Sequence, residues 1–314
     1  MSGSLVVPSP AVDEKRPEST STMAAELKDV RLYQNVLMAT DFSKFSDRAL
    51  RYALSVAQRY GAKLHVFHWL NPTAYRMIGE EAVRTATDAA WRDLQQLEST
   101  LEQKGLLRGI EHSIRVADGD LCKALDRVST GCAIDLIVIG THGRTGWRKL
   151  LLGSIAERIF RSAICPVLTI GPHVMRSRVK DDGPRDILFA TDFSSQSKAA
   201  EPYVFSVAHK YGARLTLLHV LEHPSENIVN EKERLQMAKQ KLQGLINLHH
   251  AAIERTDLAV KVGAPADAIL RTAVQKHADL IVMAVHAGRM ADRLMWPNAY
   301  RVVCEAACPV LTVR

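Results

Sequence analysis

A glycine-rich segment near the middle of the chain carries the residue types that bind phosphate groups. It follows the pattern Gly-x2-Gly-x9-Gly-Ser, formed by Gly140, Gly143, Gly153 and Ser154. Glycine has no Cβ, so an anion can approach its backbone N–H closely, and a helix that starts here adds unpaired N–H donors and the positive end of its dipole. The segment also contains basic side chains: Arg144, Arg148 and Lys149. These features predict a phosphate-binding loop.

A carboxylate after an apolar run is the second candidate for chemistry. Asp41 follows the run 36–39 and Thr40. A carboxylate accepts hydrogen bonds from ribose hydroxyls or from the donor edge of adenine, so Asp41 suits the nucleoside side of a nucleotide. The alternative is structural, because a carboxylate just before Ser43 and Ser46 can also cap the helix that follows. The sequence leaves both roles open.

Reactive side chains give little sign of catalysis or metal binding. No two of the cysteines form a C-x-x-C pair, which argues against a disulfide framework and a thiolate zinc site: Cys122, Cys132, Cys165, Cys304 and Cys308. Cys165 and Cys308 each precede a proline, and we predict that both pack in the core. Beside the glycine-rich segment there is no nucleophile–base pair and no carboxylate cluster. We therefore predict no catalytic residue and no metal ligand.

Four sequence landmarks occur twice in the same order, so the chain contains an internal repeat. In single-letter code they are ATDFS, YGA, DLIV and CPVLT, which begin at residues 39, 60, 135 and 165 and again at 190, 211, 279 and 308. The two repeats extend over residues 32–171 and 184–314. Residues 172–183 form a basic linker. Residues 1–31 are rich in Pro, Ser, Thr and Glu, a composition that predicts a disordered tail.

Each repeat alternates short apolar runs with amphipathic segments, which predicts strands that alternate with helices. Such a pattern is typical of an α/β fold in which helices cover both faces of a parallel sheet. We predict two tandem, doubly wound, five-stranded parallel sheets. Ligands of such sheets bind beyond the carboxyl ends of the strands, where both candidates lie. The fifth strands, 167–170 and 310–313, are edge strands that could pair as a pseudo-two-fold, and a homodimer remains open.

Composition excludes several classes of protein. The chain has 314 residues, 41 Lys and Arg and 34 Asp and Glu, and a formal charge of +7. This mild excess suits an anionic ligand and gives no specific sign of nucleic-acid binding. No apolar run approaches the ~20 residues that a membrane-spanning helix needs. The first residues lack the basic start and apolar core of a secretory signal, so we expect a cytoplasmic protein.

The spacing of the glycine-rich segment resembles the phosphate loop of the universal stress protein family. The ATDFS opening, the block IDLIVIGTHGRTG at 134–146 and the closing CPVL also match, and the resemblance covers nearly all of both repeats. The loop is neither a Walker A motif nor a Rossmann fingerprint, which would follow the first strand. The resemblance implies an adenine-nucleotide α-hydrolase-like, Rossmann-like fold that binds ATP, with Mg²⁺ bridging the phosphates.

The family pattern implies a role for each matching residue of the first repeat. The adenosine side would be held by Thr40 and Asp41. Trp69 stands where an aliphatic residue usually contacts adenine, and its indole could stack on the base. The ribose and triphosphate would be lined by Ile139, Gly140, His142 and Gly143. The phosphates would be enclosed by Gly153, Ser154, Ile155 and Ala156.

The second repeat departs from this pattern. Ala284 and Ala287 replace the first two glycines, and Trp296-Pro297 stands where the first repeat has Gly153-Ser154. Proline has no N–H to offer a phosphate, and the added side chains crowd the loop. We therefore predict that the second repeat binds ATP weakly or not at all.

Three functions fit the sequence. The first is an ATP-binding stress-response protein that acts as a nucleotide-dependent switch or scaffold, with slow ATP hydrolysis or autophosphorylation as its only chemistry. The second is an enzyme of the wider adenine-nucleotide α-hydrolase-like group that hydrolyses ATP slowly or transfers a nucleotidyl group. The third is an interaction module whose loop no longer binds nucleotide. The intact loop favours the first.

Overall fold

The computed structural model describes residues 32–71, 79–141, 152–174, 183–222, 228–248, 255–285 and 297–314. The predicted tail 1–31 and most of the predicted linker lie outside these residues. So does most of the glycine-rich segment, including His142, Gly143 and its three basic residues.

Strands and helices alternate through the first repeat. Its five strands are β1 (Asn35–Thr40), β2 (Lys63–Trp69), β3 (His112–Ala117), β4 (Leu136–Gly140) and β5 (Val167–Ile170). Its helices in the described part of the chain are α1 (Lys44–Tyr60), α2 (Glu80–Gln103), α3 (Leu121–Gly131) and α4 (Ser154–Ser162).

The second repeat has the same order of elements. Its strands are β6 (Asp186–Ala190), β7 (Arg214–Leu221), β8 (Thr256–Val262), β9 (Leu280–Ala284) and β10 (Val310–Val313). Its described helices are α5 (Ser195–Tyr211), α6 (Ile228–Leu248), α7 (Pro265–Gln275) and α8 (Pro297–Glu305). None of the helices in the described part of the chain is long and apolar enough to cross a membrane.

The ten strands form one mixed sheet in the order β3-β2-β1-β4-β5-β10-β9-β6-β7-β8. Within each repeat all pairings are parallel, and the strand order reverses between the first and fourth strands. The predicted fold class, two doubly wound α/β repeats with five-stranded parallel sheets, is confirmed. The structure adds that the two five-stranded sheets are continuous.

The two halves of the sheet join through an antiparallel ladder between β5 and β10. Leu168 lies opposite Leu311, and each is the fourth residue of its own CPVLT landmark. The pseudo-two-fold axis therefore passes between these two side chains. The Thr312 hydroxyl donates to the Val167 carbonyl at 3.3 Å across the ladder. Strand β5, an edge strand of its own repeat, becomes an interior strand of the combined sheet.

Capping and periodicity explain the helices that follow the ATDFS landmark. The Ser43 hydroxyl caps α1 by accepting the Ser46 N–H, and Gly61 ends the helix in the left-handed conformation at φ 64°. Ser194 and Gly212 do the same for α5. Residues at helical spacing along α1 are buried against the sheet: Ala49, Ala53, Ala57 and Tyr60.

The helices cover both faces of the sheet. Those that follow the first and second strands of each repeat pack on one face, and those that follow the third and fourth strands pack on the other. Cys165 and Cys308 are buried, which confirms their predicted packing role. Burial raises the pKa of Cys165 to about 12, so its thiol stays protonated at neutral pH.

Candidate functional site

The candidate residues of the first repeat meet at the carboxyl edge of its sheet. Thr40 lies beside His68 in the register of β1 and β2, and Ala39 lies beside Ile139 in that of β1 and β4. Gly140 in turn lies beside Ile170. The strand order reverses between β1 and β4, which is where a doubly wound sheet opens to a ligand.

The turn after β1 is held by its own side chains. The Asp41 carboxylate accepts the Ser43 N–H at 3.1 Å, and the Thr40 hydroxyl oxygen accepts the Phe42 N–H at 3.0 Å. Phe42 adopts φ 60°, a left-handed conformation that costs about 1–2 kcal/mol for a residue with a Cβ. The structural role of Asp41 therefore has direct support. This role does not exclude a ligand, because each oxygen of a carboxylate can accept more than one hydrogen bond.

His68 supports this turn from β2, a contact that the sequence analysis missed. Its Nδ1 lies 2.8 Å from the Thr40 carbonyl, so Nδ1 carries the proton, and its ring packs 4.7 Å from that of Phe42. In the second repeat His219 makes the same contacts with Thr191, at 2.8 Å, and with Phe193, at 4.4 Å. Each histidine follows its threonine by 28 residues. That repeated spacing was the available signal.

Thr141 connects β4 to the start of α4. It is fully buried, and its N–H donates to the Ile170 carbonyl at 3.1 Å. Its carbonyl accepts the Gly153 N–H at 2.7 Å. Thr141 and Gly153 therefore lie side by side, which places the N-terminus of α4 at the end of β4. Thr141 was not among the site residues predicted from the sequence.

Gly140 has a packing reason to be glycine. A Cβ at this position would lie 2.8 Å from the carbonyl oxygen of Phe45, at the start of α1. The end of β4 thus approaches the backbone of α1 more closely than any other residue type allows. This contact explains the glycine without a ligand, while its backbone remains at the candidate edge.

The N-cap residue of α4 provides no side-chain cap, because it is a glycine. Gly153 is the N-cap residue, and Ser154 is the first residue of the helix, with an exposed side chain. By contrast, Ser43 caps α1 and Asp120 caps α3. The first N–H groups of a helix have no partner within it, so the start of α4 can donate to an anion.

Two of the predicted site residues can offer only backbone groups to a ligand. Ile139 is 2% exposed and Ala156 is 7% exposed, and both side chains belong to the core between the sheet and α3 and α4. Ile155 is 38% exposed.

Trp69 is held in place by the protein itself. Its indole N–H donates to the Gly119 carbonyl at 3.2 Å, and the Arg158 guanidinium lies 5.9 Å from its ring centre. Arg158 also donates to Asp120 at 2.8 Å. The indole is therefore fixed against the start of α3 and by a side chain of α4. It lies half-buried at the end of β2, the position predicted for the base contact.

The second repeat has a cleft of about 260 Å³ at the equivalent edge. The residues that line it include Thr191, Asp192, Leu218, Met283, Pro297 and Asn298. Partial burial acts to raise the pKa of Asp192, but hydrogen bonds from Ser194 and Ser197 outweigh it and lower that pKa. The cleft thus presents an ionised carboxylate, and the helix beside it begins with Pro297, which has no N–H.

Among the residues that the structure describes, no three His, Cys, Asp or Glu side chains are grouped so that they could hold a metal ion.

Comparison with known proteins identifies the family. A model of the universal stress protein family matches residues 32–171 and 184–314. A universal stress protein of Mycolicibacterium smegmatis is 23% identical over 89% of this chain and 96% of that protein. One of Thermus aquaticus is 34% identical over 41% of this chain and 98% of that protein. A solved universal stress protein from Archaeoglobus fulgidus has a TM-score of 0.66 at 22% identity, over 90% of this chain and 98% of its own. The chain therefore belongs to the universal stress protein family, as a tandem two-domain member.

Proposed function

We propose that this protein binds ATP in its first repeat and acts as a nucleotide-dependent switch or scaffold in the stress response. The observation that carries the proposal is the hydrogen bond from the Gly153 N–H to the Thr141 carbonyl at 2.7 Å. It holds the N-terminus of α4, whose N-cap residue is a glycine, at the end of β4, next to the reversal of strand order. A helix N-terminus at that point suits a polyphosphate.

Residues from three parts of the first repeat would each contact a different part of the nucleotide. The N–H groups of Ser154, Ile155 and Ala156 would donate to phosphate oxygens, together with backbone groups of the loop. Asp41 would accept hydrogen bonds from the ribose, and Trp69 would contact the base. Mg²⁺ would bridge and partly neutralise the phosphates. These residues would bind and orient the nucleotide, and none of them is assigned as a base for hydrolysis.

The second repeat would not hold a triphosphate. Its α8 begins with a proline, which has no N–H to donate, and Ala284 replaces Gly140. We propose one nucleotide per chain, in a cytoplasmic protein whose two repeats behave as a single unit.

Equilibrium dialysis of the full-length chain with labelled ATP, followed by product analysis, tests the proposal. We expect about one ATP per chain and little product. Multiple turnovers would instead indicate an enzyme, and absence of binding would indicate an interaction module.

A matched pair of variants locates the site. Ser154→Pro gives α4 the start that α8 has, and removes one N–H donor. We expect ATP affinity to fall at least about tenfold, since a hydrogen bond to a charged group contributes about 1.5–3 kcal/mol. The control is Pro297→Ser in the second repeat, which should leave affinity unchanged. Thermal unfolding would verify that both variants fold. Unchanged affinity in Ser154→Pro would contradict the assigned site.

A further inference from the structure

Helix α4 of the first repeat contacts the second repeat at both of its ends. At its start, the buried Leu152 N–H donates to the hydroxyl oxygen of Tyr300, on α8, at 3.2 Å. At its end, the Arg314 guanidinium donates to the Ala163 carbonyl at 2.7 Å and also to the Phe160 carbonyl. The helix whose N-terminus forms the candidate phosphate site is therefore held from outside its own repeat.

The contact at the C-terminal end of α4 satisfies groups that the helix itself leaves unpaired. The last carbonyls of a helix have no partner within it and carry the negative end of its dipole, so a planar guanidinium supplies paired donors and a matching charge. Burial lowers the pKa of Arg314, yet an arginine remains protonated at any physiological pH. At the other end, Leu152 is 5% exposed, and its N–H lies beside both the Tyr300 hydroxyl and the Cys304 sulfur of α8.

The arrangement is not reciprocal, although the two repeats are related by a pseudo-two-fold axis. Counted from the Cys-Pro pairs, Tyr300 corresponds to Glu157, and Arg314 corresponds to Gly171. Glu157 forms an ion pair at 3.0 Å with Arg161 of its own helix.

Gly171 stands beside the end of α8 as Arg314 stands beside the end of α4. A Cβ on Gly171 would lie 3.2 Å from the Val303 carbonyl oxygen and 3.5 Å from that of Ala306. These two residues correspond to Phe160 and Ala163. At this position the first repeat therefore has only the backbone of a glycine, whereas the second repeat has a guanidinium.

We propose that the second repeat serves as a brace for the nucleotide-binding repeat, with Tyr300 and Arg314 as positioning residues that act through α4. This inference rests on the proposed ATP site at the start of that helix. The contacts at both ends oppose a shift of α4 along its axis, so they hold its N-terminus where ATP would bind, and the braced state favours ATP. By linkage, bound ATP favours the braced state to the same extent.

The test compares full-length wild type with Tyr300→Phe, Arg314→Met and the double variant. Hydrogen exchange of the backbone amides, measured without nucleotide, should become about tenfold faster in α4 of the double variant. The reason is that losing one hydrogen bond raises the population of the locally open state by about that factor. Exchange in α1 should stay unchanged. ATP affinity of the double variant should fall about fivefold to tenfold.

A control variant has its contacts within the second repeat. Arg301→Met removes a guanidinium that binds Asp267 at 2.6 Å and Glu305 at 3.0 Å. It should change neither exchange in α4 nor ATP affinity. Arg314→Lys should restore part of the affinity, because it restores the charge without the paired donors.

The two readouts separate the brace from the nucleotide site. If wild type binds no ATP, the proposed function fails, and hydrogen exchange still decides whether the brace exists. If exchange in α4 does not change in the double variant, there is no brace. If exchange rises and ATP affinity stays at the wild-type value, the contacts are structural only and the positioning role is overturned. Tyr300→Phe, the mildest change, provides the same comparison should Arg314→Met unfold the chain.

Discussion

The two repeats have the same turn after their first strand but differ at the helix that follows their fourth. Thr40 and Thr191 each accept the N–H of a left-handed phenylalanine, and Asp41 and Asp192 each accept the N–H of the capping serine. This turn persists in a repeat that has lost the phosphate-loop glycines. The comparison therefore separates residues that build the fold from those that can bind a nucleotide, and it assigns the turn chiefly to the fold.

The largest difference that we expect to measure between the repeats is a pH dependence of stability. His65 on β2 is 3% exposed, and Thr216 occupies the equivalent position in β7. Burial, followed by the charges of Arg115 and Lys63, lowers the pKa of His65 from 6.5 to about 4. Between these values the unfolded chain binds more protons, so the free energy of unfolding falls as the pH drops from 6.5 towards 4, by up to about 3 kcal/mol.

The variant His65→Thr gives the first repeat the residue of the second. We expect it to lose most of this pH dependence, at a small cost at pH 7, because His65 also contacts Ser113 at 2.9 Å. Urea unfolding of wild type and variant at several pH values between 4 and 7 measures both effects. A variant with the wild-type slope would show that another group titrates.

The second expected effect concerns the packing of β4 against α1. Gly140→Ala gives the first repeat the alanine of the second, but its Cβ would lie 2.8 Å from the Phe45 carbonyl oxygen. We expect a loss of about 2 kcal/mol in the free energy of unfolding, since overpacking a tight contact typically costs 1–3 kcal/mol. The matched control Ala284→Gly should cost about 0.5–1 kcal/mol for a different reason, the greater backbone freedom of glycine in the unfolded chain. Equal costs would mean that the two strand ends pack alike.

The features that the sequence predicted are those that local patterns determine. Alternating apolar runs predicted the strands, because this pattern depends only on neighbouring residues. The repeated landmarks predicted which elements of the two repeats correspond to each other. Pairing of the two fifth strands was raised from the sequence, but the register that sets Leu168 opposite Leu311 was not. That register and the contacts of Tyr300 and Arg314 depend on how two distant segments meet, and no local pattern encodes that.

Some structural residues were missed although the repeat contained their signal. Asp135 accepts the Gln34 N–H at 2.6 Å, and Asp279 accepts the Arg185 N–H at 3.0 Å, so both aspartates of the DLIV landmark hold the start of a first strand. A polar residue that recurs in both repeats, including the one without the phosphate-loop glycines, predicts a role in the fold. Applied to Asp41, the same reasoning favours capping, and only a ligand measurement can add a second role.

The smallest expected effect decides the role of that aspartate. In the second repeat the Ser197 hydroxyl donates to Asp192 at 2.6 Å, whereas in the first the corresponding Ser46 hydroxyl donates to the Ser43 carbonyl at 2.9 Å. The two carboxylates thus differ in how their oxygens are used. We expect Asp192→Asn to cost about 1 kcal/mol of stability and to leave ATP affinity unchanged, because this exposed carboxylate is partly screened by water.

For Asp192 the sign of the pH effect follows from its lowered pKa. Its contribution to stability is present above the ordinary pKa of an aspartate and disappears as the pH falls through the folded value, so wild type and Asp192→Asn should become equally stable in strong acid. Asp41→Asn should instead lower ATP affinity about tenfold, the usual effect of losing one charged hydrogen bond to a ribose. Urea unfolding and dialysis on both variants complete the comparison. If Asp41→Asn changes stability alone, the two aspartates have one common role, and the nucleotide is recognised without it.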